Sequence, residues 1–406
     1  MNYFVYKYSP QSIHAQALAN TVIVAPRNRQ TAYEQYFGKQ IPTMLFLDEI
    51  NFQTVLAALR ERTDVTSVNT LSEPDVMWVG LIEDIILKRP SKYLENTLSK
   101  DKYYMRAVLA GIVPQPEFLP LTDVMRALSF VQTHQKVILK PRRDDSASGV
   151  QILDITTQSL TAIQAQLTTL LASNQDGYML ETFNPYPHMC TVDGYAVDGQ
   201  ITRFIVHEYV TPILASLQAQ QALVTRTAHF YSSNDSIMLT KIFTLTQTII
   251  STLNSCDQVM PFHLELFYDD SGNLAFCELG KRFGGGGILE LIVAETGLDI
   301  AQEYWLRQNG DVVLEDGPVR LQPTQIVAWY KKFAQTGYLT TVPTSNLPTL
   351  SWVSAFYPMA QVATQTQASQ SITDLLFKLR FTAADEATFS RHLAQIDEYA
   401  QQYRWS

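Results

Sequence analysis

The stretch that most constrains this chain is PFHLELFYDDSGNLAFCELGKRFGGGG, residues 261–287. His263, Glu265 and Phe267 alternate with Leu264, Leu266 and Tyr268. After Asp269-Asp270-Ser271-Gly272-Asn273, Phe276, Glu278 and Gly280 alternate with Ala275, Cys277 and Leu279. A polarity period of two on both sides of a Ser-Gly turn predicts a β-hairpin. A two-residue turn at Ser271-Gly272 pairs Asp270 with Asn273, and a four-residue turn keeps that register. Counting outward, Phe267 faces Phe276 and Glu265 faces Glu278; only an odd-length turn would break the pairing.

Carboxylates directly opposite each other lie about 5 Å apart at Cβ and repel. Such a pair calls for a cation between them. Mg²⁺ takes one or two protein carboxylates plus substrate phosphates, which makes the hairpin a candidate metal site. The plainer alternative is an exposed hairpin whose two acids face water. Beyond Glu278, Arg282 and the glycines at 284–287 lead into ILELIVAETG, predicted helical. Glycines before a helix leave backbone N–H groups free to hold an anion, though a loose loop has the same composition.

Composition narrows the class. The chain has 406 residues, enough for two or three domains, and its 46% hydrophobic and 17% charged content is that of an ordinary globular protein. A net charge of −9 argues against a nucleic-acid or anionic-membrane partner. Cys190, Cys256 and Cys277 show no metal spacing and no disulfide framework, as expected of a reducing cytoplasm. The start reads as no signal peptide, and no apolar run approaches the ~20 residues of a membrane span.

Along the chain, 21–26 and 43–50 read as strands and 55–62 as a helix, while 75–87 is apolar enough for a buried strand or helix. Alternating elements predict a small parallel sheet under helices. In 98–118, Lys102, Met105, Arg106 and Leu109 recur at helical spacing before Gly111 and Pro114. A second helix is expected over 122–134. KVILKP (136–141) is a β run, followed by the polar loop RRDDSASG and the short run VQIL. Its Lys140, ending a strand before small residues, is a candidate phosphate contact; the alternative is a lysine snorkelling to the surface. GYMLETF is a strand, NPYPHM a turn, and 190–210 a hairpin turning at Asp198-Gly199. A helix is expected over 239–253, and the Gln/Thr/Ser-rich 357–371 reads as an exposed loop. Thr382 to Asp385 resembles a capping box before a helix with Phe389, Leu393, Ile396, Tyr399 and Tyr403 on one face.

These pieces, in this order over about residues 75–300, resemble the ATP-grasp superfamily, in particular its carboxylate–amine ligases of the carnosine-synthase and bacterial L-amino-acid-ligase kind. PFHLELFYDDSGNLAFCELGKRFGGGG resembles the family's metal-binding strands. SKDKYYMRAVLAGIVPQP resembles the opening of the nucleotide region, VILKPRRDDSASGV the lysine strand and phosphate loop, and YMLETFNPYPHMCTVDGYAVDG the adenine hinge. The resemblance implies an α/β (α+β) fold: an N-terminal α/β domain (1–97), an ATP-grasp domain of two subdomains clasping ATP (98–309), and a C-terminal α+β domain (310–406).

By position, the resemblance implies that Lys102 and Lys140 contact ATP phosphates, with Ser148 in the loop that closes over them. Glu181, Thr182 and Phe183 would hold adenine. Glu265 and Glu278 would hold Mg²⁺ or Mn²⁺. Arg282 would steady the transferred phosphoryl group, with Lys140 beside it as the second catalytic residue. Arg282, Gly285, Gly286 and Glu83 would face substrate, although Glu83 also fits a surface acid. His188 stands where the family often has a glutamate for the ribose, and Gly280 where it usually has a metal-binding asparagine. The activity implied is ATP-dependent ligation of a small-molecule carboxylate to an amine through an acyl-phosphate, in the cytoplasm, with a homodimer allowed. Other chemistry of the superfamily (carboxylation, or acyl transfer to a carrier protein) and a non-catalytic nucleotide-binding module are the alternatives.

Overall fold

The computed structural model describes residues 1–14, 18–174, 176–233, 235–253, 257–309, 317–369 and 371–406. Cys256 lies outside them.

The N-terminal runs pair in parallel, in the spatial order Thr43–Leu47, Thr21–Pro26, Asn2–Val5, Ser67–Asn69. The ambiguous run at 75–87 is the helix Val76–Leu87. It lays Val79 and Ile82 on Val5, Val24 and Val68, and a run that long exceeds a usual strand. A buried charge cluster fastens this unit to the rest. Lys92 Nζ lies 2.8 Å from Glu83 Oε2 and 3.0 Å from Asp257 Oδ1, and Lys281 Nζ lies 2.7 Å from Asp257 Oδ2. Glu83 also accepts a 2.6 Å hydrogen bond from the Val68 amide.

A four-stranded antiparallel sheet follows, in the order Phe118–Pro120, Tyr178–Thr182, Lys136–Pro141, Gln151–Asp154. The helices Val124–His134 and Leu160–Ser173 cover one face of it, burying Val137, Leu139, Leu153 and Leu180. Strand alternation then turns Lys136, Ile138 and Lys140 to the other face. The chain leaves this sheet after Thr182 and joins a second one at His188.

That second sheet is antiparallel and eight-stranded. Its order is Leu274–Gly280, Val259–Tyr268, His188–Val197, Gln200–Tyr209, Leu223–Thr227, Ile326–Phe333, Leu375–Ala383, Val353–Pro358. Asp198 (φ 47°) and Gly199 (φ 76°) make the expected two-residue turn. The helix Ser236–Leu253 buries Met238, Leu239, Ile242 and Ile249 against Leu264, Leu266 and Phe276 on one face. The last three strands of the order come from beyond residue 317. The expected boundary at 309/310 therefore falls within one continuous sheet, and the C-terminal residues extend the central layer.

The hairpin differs from expectation in an instructive way. Its loop, 269–273, has five residues, so the register next to it is shifted by one: Phe267 faces Ala275 and Leu266 faces Phe276. The odd loop is organised by Asp269, whose Oδ1 accepts from the Ser271 and Asn273 amides at 3.0 and 2.9 Å. A bulge at Cys277 then returns the shift, and Glu265 does face Glu278. The bulge also changes faces: Phe276 enters the core, whereas Cys277 and Glu278 turn to the opposite side. Arg106 completes it, donating to the Phe276 and Cys277 carbonyls at 2.7 and 2.9 Å.

Two smaller expectations are corrected. Thr382 lies in a strand, and the N-cap of the helix Glu386–Ala400 is Asp385, whose carboxylate accepts from the Thr388 amide at 2.7 Å. Within 357–371, Gln365–Thr366 forms a short strand against Gly337–Thr341, and Ser369 is buried.

Because Lys92 supplies the charge between Glu83 and Asp257, Lys92→Met leaves Glu83 buried without its cation. The expected cost is about 3–5 kcal/mol, read from the denaturant midpoint of unfolding. A variant as stable as wild type would show that the cluster is dispensable.

Candidate functional site

Between the four-stranded and eight-stranded sheets lies a cavity of about 700 Å³. Its wall on one side is the face of Lys136–Pro141 that the covering helices leave free. On the other side it is the face of Val259–Tyr268 that carries His263, Glu265 and Phe267. The period of two read from the sequence thus sorted core from cavity on both strands.

Lys140, ending its strand, is buried rather than snorkelling. Its ammonium pairs with Glu181, whose other oxygen pairs with Arg106 Nη2. Arg106 is 1% exposed; burial lowers its pKa to about 10, which still leaves it charged at neutral pH. Lys102 Nζ sits 3.3 Å from Glu278 Oε2 and donates to the Asp144 carbonyl at 2.5 Å. Burial alone would raise the Glu278 carboxyl, but Lys102 and Lys140 outweigh it and hold it below the usual range. Lys102, Arg106 and Lys140 thus meet Glu181 and Glu278; burial, with Arg106 beside it, lowers the Lys140 pKa to about 7, so its ammonium is only partly charged at neutral pH.

Glu265 accepts from the Tyr209 hydroxyl at 3.0 Å and lies 3.6 Å from His263 Nε2. The other ring nitrogen of His263 is 2.8 Å from Asp193 Oδ1, and the same oxygen accepts from the Gly284 amide at 3.1 Å. Asp193 therefore ties the start of the glycine loop to the hairpin. The two facing acids already have partners in the protein, Lys102 for Glu278 and Tyr209 with His263 for Glu265. At Glu278 the cation that the pairing called for is the Lys102 ammonium.

Arg282 also lines the cavity, its Nε 2.6 Å from Glu73 Oε2. Burial would raise the Glu73 carboxyl; Arg282 and Lys100 reverse this and hold it at about 2. Ser148 lines the cavity from a loop in which Ser146 (φ 58°) and Ala147 (φ 57°) are both left-handed, an uncommon shape for two successive non-glycine residues. Thr182, Phe183, Gly285 and Gly286 line it too.

Two expected residues do not join them. His188 faces away, paired across strands with Tyr268, its ring stacked on that tyrosine and its Nε2 2.8 Å from Asp270 Oδ1. Strand alternation puts Met189, its neighbour, in the cavity wall instead. Glu83 is committed to Lys92 and the Val68 amide, away from the cavity. Sequence reading missed Arg106, Asp193 and Glu73. Arg106 alone left a trace, as a charge set among apolar residues at helical spacing.

Behind the wall, His207 is buried between Glu295 (2.7 Å) and Asp193 (3.9 Å). Burial opposes its charge, but the two carboxylates raise its pKa to about 9. Since 9 lies above the unfolded value of about 6.5, its contribution is full below about pH 6.5 and lost as the pH rises through about 9. Denaturant unfolding at pH 6 and pH 9.5 should show a smaller loss of stability in His207→Gln than in wild type; equal losses would refute this. Glu278→Gln, by stranding the Lys102 ammonium, should lower metal-free stability by about 1–2 kcal/mol in the same measurement. Two bare carboxylates would give the opposite sign.

No protein-family model matches the sequence, and no curated protein does. Solved structures do match in fold. An L-amino acid ligase from Bacillus licheniformis aligns over 100% of this chain and 98% of its own, with TM-score 0.72 and 11% identity. N5-carboxyaminoimidazole synthetase from Staphylococcus aureus, complexed with ADP, aligns over 98% of each chain, with TM-score 0.65 and 11% identity. The biotin carboxylase domain of 2-oxoglutarate carboxylase from Hydrogenobacter thermophilus, complexed with MgADP, ADP and bicarbonate, aligns over 100% of this chain and 90% of its own, with TM-score 0.62 and 13% identity. The likeness is one of fold, end to end, and the fold of this chain is the ATP-grasp fold.

Proposed function

We propose that this chain is an ATP-dependent carboxylate–amine ligase that works through an acyl-phosphate and releases ADP and phosphate. One observation carries the reading: Lys102, Lys140 and Arg282 share a single cavity with the facing acids Glu265 and Glu278. That is the charge pattern phosphoryl transfer asks for, since its catalysis is mostly positioning and neutralisation. Nucleotides in the Staphylococcus and Hydrogenobacter structures support ATP as the donor.

The two acids fit Mg²⁺ (or Mn²⁺), because they face each other across adjacent strands at the cavity wall and phosphates would complete the shell. When bound, the ion would supply positive charge to offset that of the phosphates. Gly280 offers no third ligand. The remaining roles belong to the protein. Lys140 shares Glu181 with Arg106, and an anionic phosphate beside it would favour its charged form. Thr182 and Phe183, at the crossing between sheets, would hold the base, and Ser148 would cover the phosphates; all three line the cavity. Arg282, fixed by Glu73, would stabilise charge on the phosphoryl group as the substrate carboxylate attacks it. The amine then displaces phosphate, and no side-chain nucleophile is needed.

The products test the proposal. Incubation with Mg-ATP, mixed amino acids and small acids, followed by nucleotide chromatography, should yield ADP and phosphate in step with amide formation. AMP and pyrophosphate would point to an adenylate and overturn it.

A further inference from the structure

Lys331 and Lys378 stand directly opposite each other on the adjacent strands Ile326–Phe333 and Leu375–Ala383, and both line the cavity. Like charges in that position repel. Lys331 is only 5% exposed. Among the described residues neither lysine has an ion pair with a carboxylate. Lys378 lies over the rings of Trp329 and Tyr357, 4.9 Å from each centroid. Burial, with Lys378 adding to it and the Glu290 carboxylate only partly opposing them, draws the Lys331 pKa down to about 8. An ammonium held nearly out of water with no carboxylate in direct contact is costly, and here a second, half-buried ammonium shares its wall.

The loop opposite is shaped around Lys331. A side chain at Gly286 (φ 65°) would meet the Lys331 ammonium, its Cβ falling 2.5 Å from Nζ. The amides of that loop lead into the helix Ile288–Thr296, whose N-terminus adds partial positive charge. The cations assigned to the nucleotide each have a carboxylate within ion-pair distance; among the described residues Lys331 and Lys378 have none that close.

We propose that Lys331 and Lys378 form a second anion subsite, and that one of the two ligated substrates carries a carboxylate or phosphate beyond its reacting group. The inference rests on the ligase reading and deepens it: the substrates would include a dicarboxylic or phosphorylated acid, or an amine bearing its own free acid group, such as an α-amino acid. A monocarboxylic acid joined to a simple alkylamine would leave both lysines unpaired and react poorly.

The subsite is read first without turnover. Melting temperatures of wild type, Lys331→Met and Lys378→Met are measured against succinate and against inorganic phosphate. Wild type should be stabilised by at least one of these anions and both variants much less so, while Lys331→Met without anion should melt about 1–2 °C higher than wild type. An equal anion response in all three proteins, or a variant melting well below wild type, overturns the proposal. This arm stands apart from the ligase reading, since it needs no reaction. With an active acid–amine pair in hand, Lys331→Met should raise KM for the anion-bearing substrate about 10–100-fold, the loss of one charge-assisted hydrogen bond, and leave KM for Mg-ATP within about twofold. Comparing dicarboxylic with monocarboxylic acids, and amino acids with their amides, identifies which substrate carries the group. A rise confined to KM for Mg-ATP would assign the lysines to the nucleotide instead and overturn the proposal.

Discussion

The Arg106 guanidinium is the joint on which the cavity depends. It donates to two carbonyls of the bulged hairpin strand and pairs with Glu181 of the four-stranded sheet, all from a helix that packs under the eight-stranded one. That strand is the edge of its sheet, where unpaired backbone groups would otherwise be open. Arg106 covers them, and the Phe276 amide donates to the Pro114 carbonyl at 2.8 Å just beyond the same helix. A buried charge gains nothing unless its partners are fixed. Here the partners are the bulge, which sets the position of Glu278, and Glu181, which sets the position of Lys140.

A consequence is that the cavity is electrically prepared before any ligand enters. Lys102, Arg106 and Lys140 share Glu181 and Glu278, Arg282 is held by Glu73, and Glu265 by Tyr209 and His263. Each side chain is oriented by a partner on a different element, so little reorganisation remains for ligand binding. The N-terminal unit takes part through Glu73, and Lys281, next to Arg282, joins the cluster of Lys92 and Asp257. Displacing the parallel sheet would therefore release Arg282 as well as cost stability.

Much of this was legible in the chain itself, for a physical reason. Strand alternation assigns faces, so KVILKP and HLELF announced which side chains meet the core, and turn chemistry placed the Asp198-Gly199 hairpin. The Glu265–Glu278 pairing was also correct, but through two cancelling errors: the loop is odd where an even one was expected, and a bulge restores the count. Local sequence could not show the bulge, because it is stabilised by Arg106, 170 residues away in sequence from Phe276. His188 was misplaced for a related reason, since a family position does not say which face of a strand a residue takes.

Sequence by itself determined most of the elements, the faces of the regular strands and many of the charged residues that line the cavity. Tertiary structure decided which charges meet. Asp193, Glu73 and Arg106 gain their roles from partners far along the chain, and Glu83 is drawn into the Lys92 cluster by a neighbouring strand and a distant aspartate. Periodicity is a local property of the backbone, and the sequence displays it directly. Pairing of buried charges depends on where sheets and helices come to rest, and only the folded chain contains that.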